Sequence, residues 1–168
     1  MANRYFVGGG TGNWNSTTNW STTDGGASGA SFPIAGDNVF LTAASGVNTL
    51  TINATSACLT LNCTGFTGTL AGSSQLTVSG SVTFVAAMTL TATGLLIINA
   101  TATLTWGGKT WGGAMNLNAG GFTYTISGDC YVTGNVQVGN SGSTTNNLNG
   151  DKLYVGGNLN SVGTGPIF

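Results

Sequence analysis

The stretch Leu76-Thr-Val-Ser-Gly-Ser-Val-Thr-Phe84 constrains the fold more than any other feature of the chain. Its pattern returns as Cys130-Tyr-Val-Thr-Gly-Asn-Val-Gln-Val138 and again as Leu153-Tyr-Val-Gly-Gly-Asn-Leu-Asn-Ser161. Apolar and small or polar residues alternate on both sides of a Gly followed by Ser or Asn, which reads as strand, sharp bend, strand. Glycine supplies backbone angles that bulkier residues resist. If the bend is a corner, the same face continues inward on both sides and the fold is a β-solenoid. If it is a two-residue hairpin, which uses similar residues, the chain is an antiparallel β-sandwich.

From Val47 onward the chain is a succession of short alternating segments, among them Thr49–Ile52, Leu59–Leu61, Leu76–Val78, Val82–Phe84, Leu95–Ile98, Thr103–Trp106 and Phe122–Ile126. The steps from Leu61 to Val78 to Ile97 are close to twenty residues each, and that from Val132 to Val155 is slightly longer. Coils of about twenty residues suit a rung of two or three short strands. No one rung buries its own inward side chains, so stacking is what makes the core. The expected fold is all-β: a β-solenoid, parallel β-helix-like, with a small N-terminal β cap, the alternative being the sandwich. The expected division is a Trp/Gly-rich cap or attachment segment over 1–45 and a β-repeat domain over 46–168.

Charge is nearly absent. Arg4, Lys109 and Lys152 stand against Asp24, Asp37, Asp129 and Asp151, with no Glu and no His. An ordinary domain has about a quarter charged residues, so Thr, Ser, Asn and Gly must form the wet surface. Without a basic patch there is no electrostatic footprint for nucleic acid. Gly94-Leu-Leu-Ile-Ile-Asn99 is strand-sized, too short to span a membrane. A near-neutral surface also removes the self-repulsion that opposes packing against copies of the same chain.

The chain offers little to catalysis. Cys58, Cys63 and Cys130 lack an obvious base and read as small buried residues, and with no His a zinc site is not expected. Asp24 and Asp37 read as turn residues, with calcium coordination as the weaker alternative. Asp129 and Asp151 remain a pair that glycoside cleavage would require at short separation. Gly8-Gly-Gly-Thr-Gly12 lacks the Lys-Ser/Thr and helix of a phosphate loop. No catalytic residue, cofactor or metal ligand is therefore expected. The Asn-X-Ser/Thr sequons at Asn15, Asn19, Asn53, Asn62 and Asn99 are what so much Asn and Thr gives by chance. Trp14, Trp20, Trp106 and Trp111 carry two readings each: stacking platforms for sugars, or large apolar caps and core fillers. Trp106-Gly-Gly-Lys-Thr-Trp111-Gly-Gly is an internal duplication that fits a bulged corner, a subunit contact or a sugar-binding surface.

Residues 1–45 carry a motif of their own. Arg4-Tyr-Phe-Val-Gly-Gly-Gly-Thr-Gly-Asn-Trp14, Asn19-Trp20-Ser-Thr-Thr-Asp-Gly-Gly-Ala27, Phe32-Pro33 and Gly36-Asp37-Asn-Val-Phe40 follow in order. This string resembles the N-terminal motif of virion appendage proteins of tailed bacteriophages, tail-fibre-like or other surface structural proteins that continue into Thr/Gly-rich β-repeats. Similar Trp-rich openings precede β-repeats in bacterial surface proteins of autotransporter type. Phe6 departs from the pattern, where Trp is expected. The resemblance implies a virion structural protein with no catalytic residues. Partners would be itself, as a homotrimer that buries open edges and outward apolar residues such as Leu95 or Tyr154, other virion proteins and a host surface glycan. It would be made in the host cytoplasm and released by lysis, consistent with an opening segment that has no apolar export region. A carbohydrate-binding adhesin and a bacterial extracellular filament subunit are the alternatives. At the other end, either Phe168 packs over the last rung or the natural polypeptide continues.

Overall fold

A computed structural model describes residues 1–117, 121–139 and 145–161. Three short strands open the chain: β1 (Asn3–Phe6), β2 (Thr11–Asn13) and β3 (Trp20–Ser21). A set of three strands then recurs. It begins with β4 (Asn38–Phe40), β5 (Thr49–Thr51) and β6 (Ser56–Cys58), then β7 (Thr60–Asn62), β8 (Thr69–Ala71) and β9 (Leu76–Val78). The next sets are β10 (Val82–Thr83), β11 (Thr89–Leu90) and β12 (Leu96–Ile98), then β13 (Ala102–Thr105), β14 (Thr110–Trp111) and β15 (Met115–Leu117). The last described are β16 (Thr123–Ser127), β17 (Cys130–Val132) and β18 (Val136–Val138), then β19 (Thr145–Asn147), β20 (Leu153–Val155) and β21 (Leu159–Ser161).

Each set closes one coil of a β-solenoid with parallel sheets. The first face stacks β1, β4, β7, β10, β13, β16 and β19, with β3 added antiparallel to β1 at its start. The third face stacks β6, β9, β12, β15, β18 and β21. The second runs from β2 through β5 and β8 to β11, and from β14 through β17 to β20 as a separate sheet. A backbone bond from Gly112 to the Ala92 carbonyl, 2.9 Å, joins the two parts. Apart from β1–β3, the strand pairings are parallel. The antiparallel sandwich is therefore corrected, and so is the hairpin: β9 and β10, either side of Ser79-Gly80-Ser81, lie on different faces.

Alternation is what makes each strand. In Leu76-Thr77-Val78 the aliphatics are buried and Thr77 is not. Stacking sets like on like. Val39, Leu61, Val82, Leu104 and Ile126 form one inward column, and Cys58, Val78, Ile98, Leu117 and Val138 another. Each fully buried aliphatic contributes about 1.5–3 kcal/mol. Outside, polar residues bond along the stack: Asn38 to Asn3 at 3.2 Å and Thr60 to Asn38 at 2.9 Å.

Two sequence inferences shift. The series Leu61, Val78, Ile97 mixes faces, since Leu61 lies on the first face while Val78 points into the core and Ile97 outward on the third. Likewise the first copy of the strand–Gly–strand pattern turns from the third face to the first, whereas the other two turn from the second to the third. Local alternation around a glycine is the same at any corner, so sequence similarity did not report structural equivalence. Sheets run across the expected division at 45/46, since β4 pairs with β7 and β2 with β5. Among the described residues no helix is long and apolar enough to cross a membrane. The expectation for Phe168 lies outside the described residues.

Candidate functional site

The four indoles are all core. Trp14 and Trp20 meet edge to face with ring centres 5.4 Å apart, and Phe6 joins them at 5.9 Å from Trp20. Together they cover the core over the first turn. The motif residues around them fit that task. A side chain at Gly12 would collide with the Asn19 amide, which bonds the Asn13 carbonyl at 2.8 Å. Trp20 Nε1 donates to the Trp14 carbonyl at 2.7 Å. Farther along, Phe84 packs on both Trp106 (5.3 Å) and Trp111 (6.3 Å). Trp111 Nε1 donates to the Gly94 carbonyl at 2.7 Å and Trp106 Nε1 to the Tyr131 carbonyl at 3.3 Å. With at most 1% of its surface exposed, none of the four has a face on which a sugar could stack. Of the readings open for Trp106 and Trp111, the geometry keeps the bulged corner that fills the core. Flanking glycines suit a ligand's approach or a tight corner; here Gly107 and Gly108, at φ 57° and 69°, make the corner.

The carboxylates are engaged in structure. Asp37, 5% exposed, accepts from the Ala2 amide at 3.0 Å and the Ile34 amide at 3.4 Å, with the Arg4 guanidinium 3.8 Å away. Asp24 accepts from the Thr42 hydroxyl at 2.6 Å. Asp129 accepts from the Lys152 amide at 2.9 Å and Asp151 from the Gly128 amide at 2.8 Å. The last two thus tie neighbouring turns together reciprocally. Carboxylates bound to backbone amides in this way act as fixed acceptors at corners.

Cys58, Cys63 and Cys130 are buried free thiols. Burial pushes each far above the ordinary thiol range, and Cys63 adds to the effect at Cys58. Thiols held protonated are poor nucleophiles and poor metal ligands. Among the described residues no three His, Cys, Asp or Glu side chains gather as a metal site would need.

Two clefts remain. On the outward side of the second face, Tyr131 and Tyr154 occupy the same position in successive turns, and their rings stack 4.5 Å apart and 2° from parallel. Beside them runs a groove of about 330 Å³ whose walls include Thr110, Thr133 and Gly156. Partial desolvation, with Tyr154 and Asp129 beside it, holds the Tyr131 phenol above its ordinary value. The second cleft, about 210 Å³, lies at the first turn between β6 and the segment 32–35, with Trp14 at its side. Sequence reasoning missed both. The sequence marks Tyr154 only as an outward apolar residue, while the Tyr-Val pairs at 131–132 and 154–155 are the signal for the stack. Leu95, noted with it, is half-buried.

No protein family, no curated protein and no solved structure matches the chain.

Proposed function

We propose that the chain is a structural protein of a tailed-phage virion, a tail-fibre-like or capsid-surface appendage that assembles as a homotrimer and meets the host surface. The observation that supports this most is the architecture of its first turn. The string that resembles the virion-appendage motif, from Arg4 to Phe40, is a set of interlocking parts that starts a solenoid: the Arg4–Asp37 pair, the Trp14–Trp20 contact and the Asn19 amide seated over Gly12. A rod begun this way and continued by parallel turns bears load along its axis, as an appendage must. The near-neutral surface of hydroxyls and amides supports close packing of copies.

Immunogold labelling of lysate particles with antibody raised against the purified chain tests the reading. Label on virions is expected. Label on bacterial surfaces with bare particles would move the protein to the adhesin or filament class. Sedimentation of the purified chain tests the trimer separately.

A second reading, a carbohydrate-binding surface, is favoured by one observation: the Tyr131–Tyr154 stack beside an open groove. Tyrosines with an apolar ring and a polar tip suit sugars, which are themselves apolar on one face and polar at the rim. A glycan array probed with the native chain and with Tyr154→Ala separates the two readings, since only the second expects a signal that the substitution removes.

A further inference from the structure

We propose that the open edge of β6 is an acceptor for an extended, uncharged polypeptide strand supplied by another protein, anchored by one apolar side chain in the adjoining cleft. The proposal does not depend on the virion reading.

The edge is open because the first turn is incomplete. It contributes β1 to the first face and β2 to the second, but nothing to the third, so β6 ends its sheet. The bonding pattern shows which groups are left over. The Ser56 amide donates to the Gln75 carbonyl at 2.9 Å, and the Ser79 amide to the Cys58 carbonyl at 3.0 Å. In a parallel ladder alternate residues bond to the same neighbour, so Ser56 and Cys58 face β9 while the N–H and C=O of Ala57 face the other way. Segment 32–35 lies across the cleft but does not complete the ladder. Pro33 has no N–H, and Ile34 turns its amide to the Asp37 carboxylate and its carbonyl to the Asp37 amide, 2.9 Å.

A second, independent observation lies in the same cleft. Trp14 lines it, and its indole N–H is buried without an acceptor, whereas the other three indole N–H groups each have one. A buried donor left unmade is costly; this one is closed off in the free protein, so a guest carbonyl would satisfy it only as the cleft wall shifts to admit it. Phe32 and Ile34, 40% and 61% exposed, offer apolar wall, and no charged residue lines the space. At about 210 Å³ the cleft falls below the range of small-molecule pockets, roughly 300–1,000 Å³, and suits a single large side chain. Free backbone groups supply the hydrogen bonds of strand addition and an apolar cleft the anchor for a side chain; here the orphan donor belongs to a residue of the same cleft wall.

The test uses the whole chain and a capped peptide with the sequence of residues 49–54, Thr-Leu-Thr-Ile-Asn-Ala, as a neutral strand probe. Titration followed by NMR is expected to move the Trp14 indole N–H resonance downfield and to protect the Ala57 amide from exchange, saturating at millimolar peptide or below. The same peptide N-methylated at its backbone should bind at least about tenfold more weakly. Ala57→Pro should lose binding likewise, since an edge strand tolerates proline where its N–H faces outward. Trp14→Phe should weaken it several-fold, and Thr110→Ala should leave it unchanged. The proposal is overturned if millimolar peptide moves neither resonance, or if the methylated peptide binds as well. It is also overturned if the same resonances move with protein concentration alone, which would assign the edge to a second copy of this chain.

Discussion

Gly94 has no room for a methyl group: a Cβ built there would overlap the Ser74 carbonyl. The same holds at the corresponding corner of later turns, where a Cβ at Gly134 would sit 2.7 Å from the Gly113 carbonyl. Turns stack only about 4.8 Å apart, and at the corner into the third face one turn's backbone passes directly over the next. Gly94→Ala should therefore cost about 1–3 kcal/mol in chemical denaturation, as overpacking does. Gly36→Ala, with nothing within 4 Å, should stay within about 0.5 kcal/mol. A neutral Gly94→Ala would mean the corner is looser than described. The buried thiols make a second prediction. In the unfolded chain they ionise near pH 8.5, while in the native fold burial keeps them protonated to higher pH. Their contribution is at its full value below that pH and is lost as pH rises through it, by about 1.4 kcal/mol per pH unit for each thiol. Urea midpoints at pH 7 and pH 10 should differ accordingly, and Cys130→Ala should flatten the dependence.

At the scale of the element, a strand here is only two to five residues long and owes its existence to the strands above and below. An inward residue in mid-stack should thus matter far more than the same residue in the last turn. Leu61→Ala, fully buried, should cost about 2–5 kcal/mol. Leu159→Ala, already 49% exposed, should cost under about 1 kcal/mol. The indoles provide an optical check on the same packing. Native fluorescence should be blue-shifted and poorly quenched by acrylamide, becoming fully quenchable on unfolding. Ready quenching of the native protein would contradict the burial of all four. Much of the element scale was legible beforehand. Alternation around Thr77 or Thr103 told which side chains turn inward, because a strand's side-chain period is two whatever its neighbours are.

Across the whole molecule, contacts join each turn mainly to the next, so stability is distributed along a line rather than concentrated at a centre. Hydrogen exchange should be slowest in β7, β10 and β13, which have a turn on either side. It should be fastest in β19 to β21, where all of β21 is exposed and Asn146 is buried with neither amide atom bonded. Equal protection along the rod would indicate a single cooperative unit. The order of strands within a face was not legible. Successive partners lie about twenty residues apart but loops shift the interval, and neither alternation nor composition says which inward residue stacks on which.

The residues by themselves determined that this chain forms short strands with sharp glycine corners, a wet surface without charge and a core that stacking must complete, because those follow from side-chain chemistry and a period of two. Only the tertiary structure decided that the four indoles point inward, that Asp129 and Asp151 join turns, that two tyrosines stack on the outside and that β6 has an unpaired edge. Trp beside Gly serves a core as well as a surface, and only the surrounding turns settle which. The open edge has no sequence of its own: it exists because residues 14–37 return to the first face without laying a strand on the third.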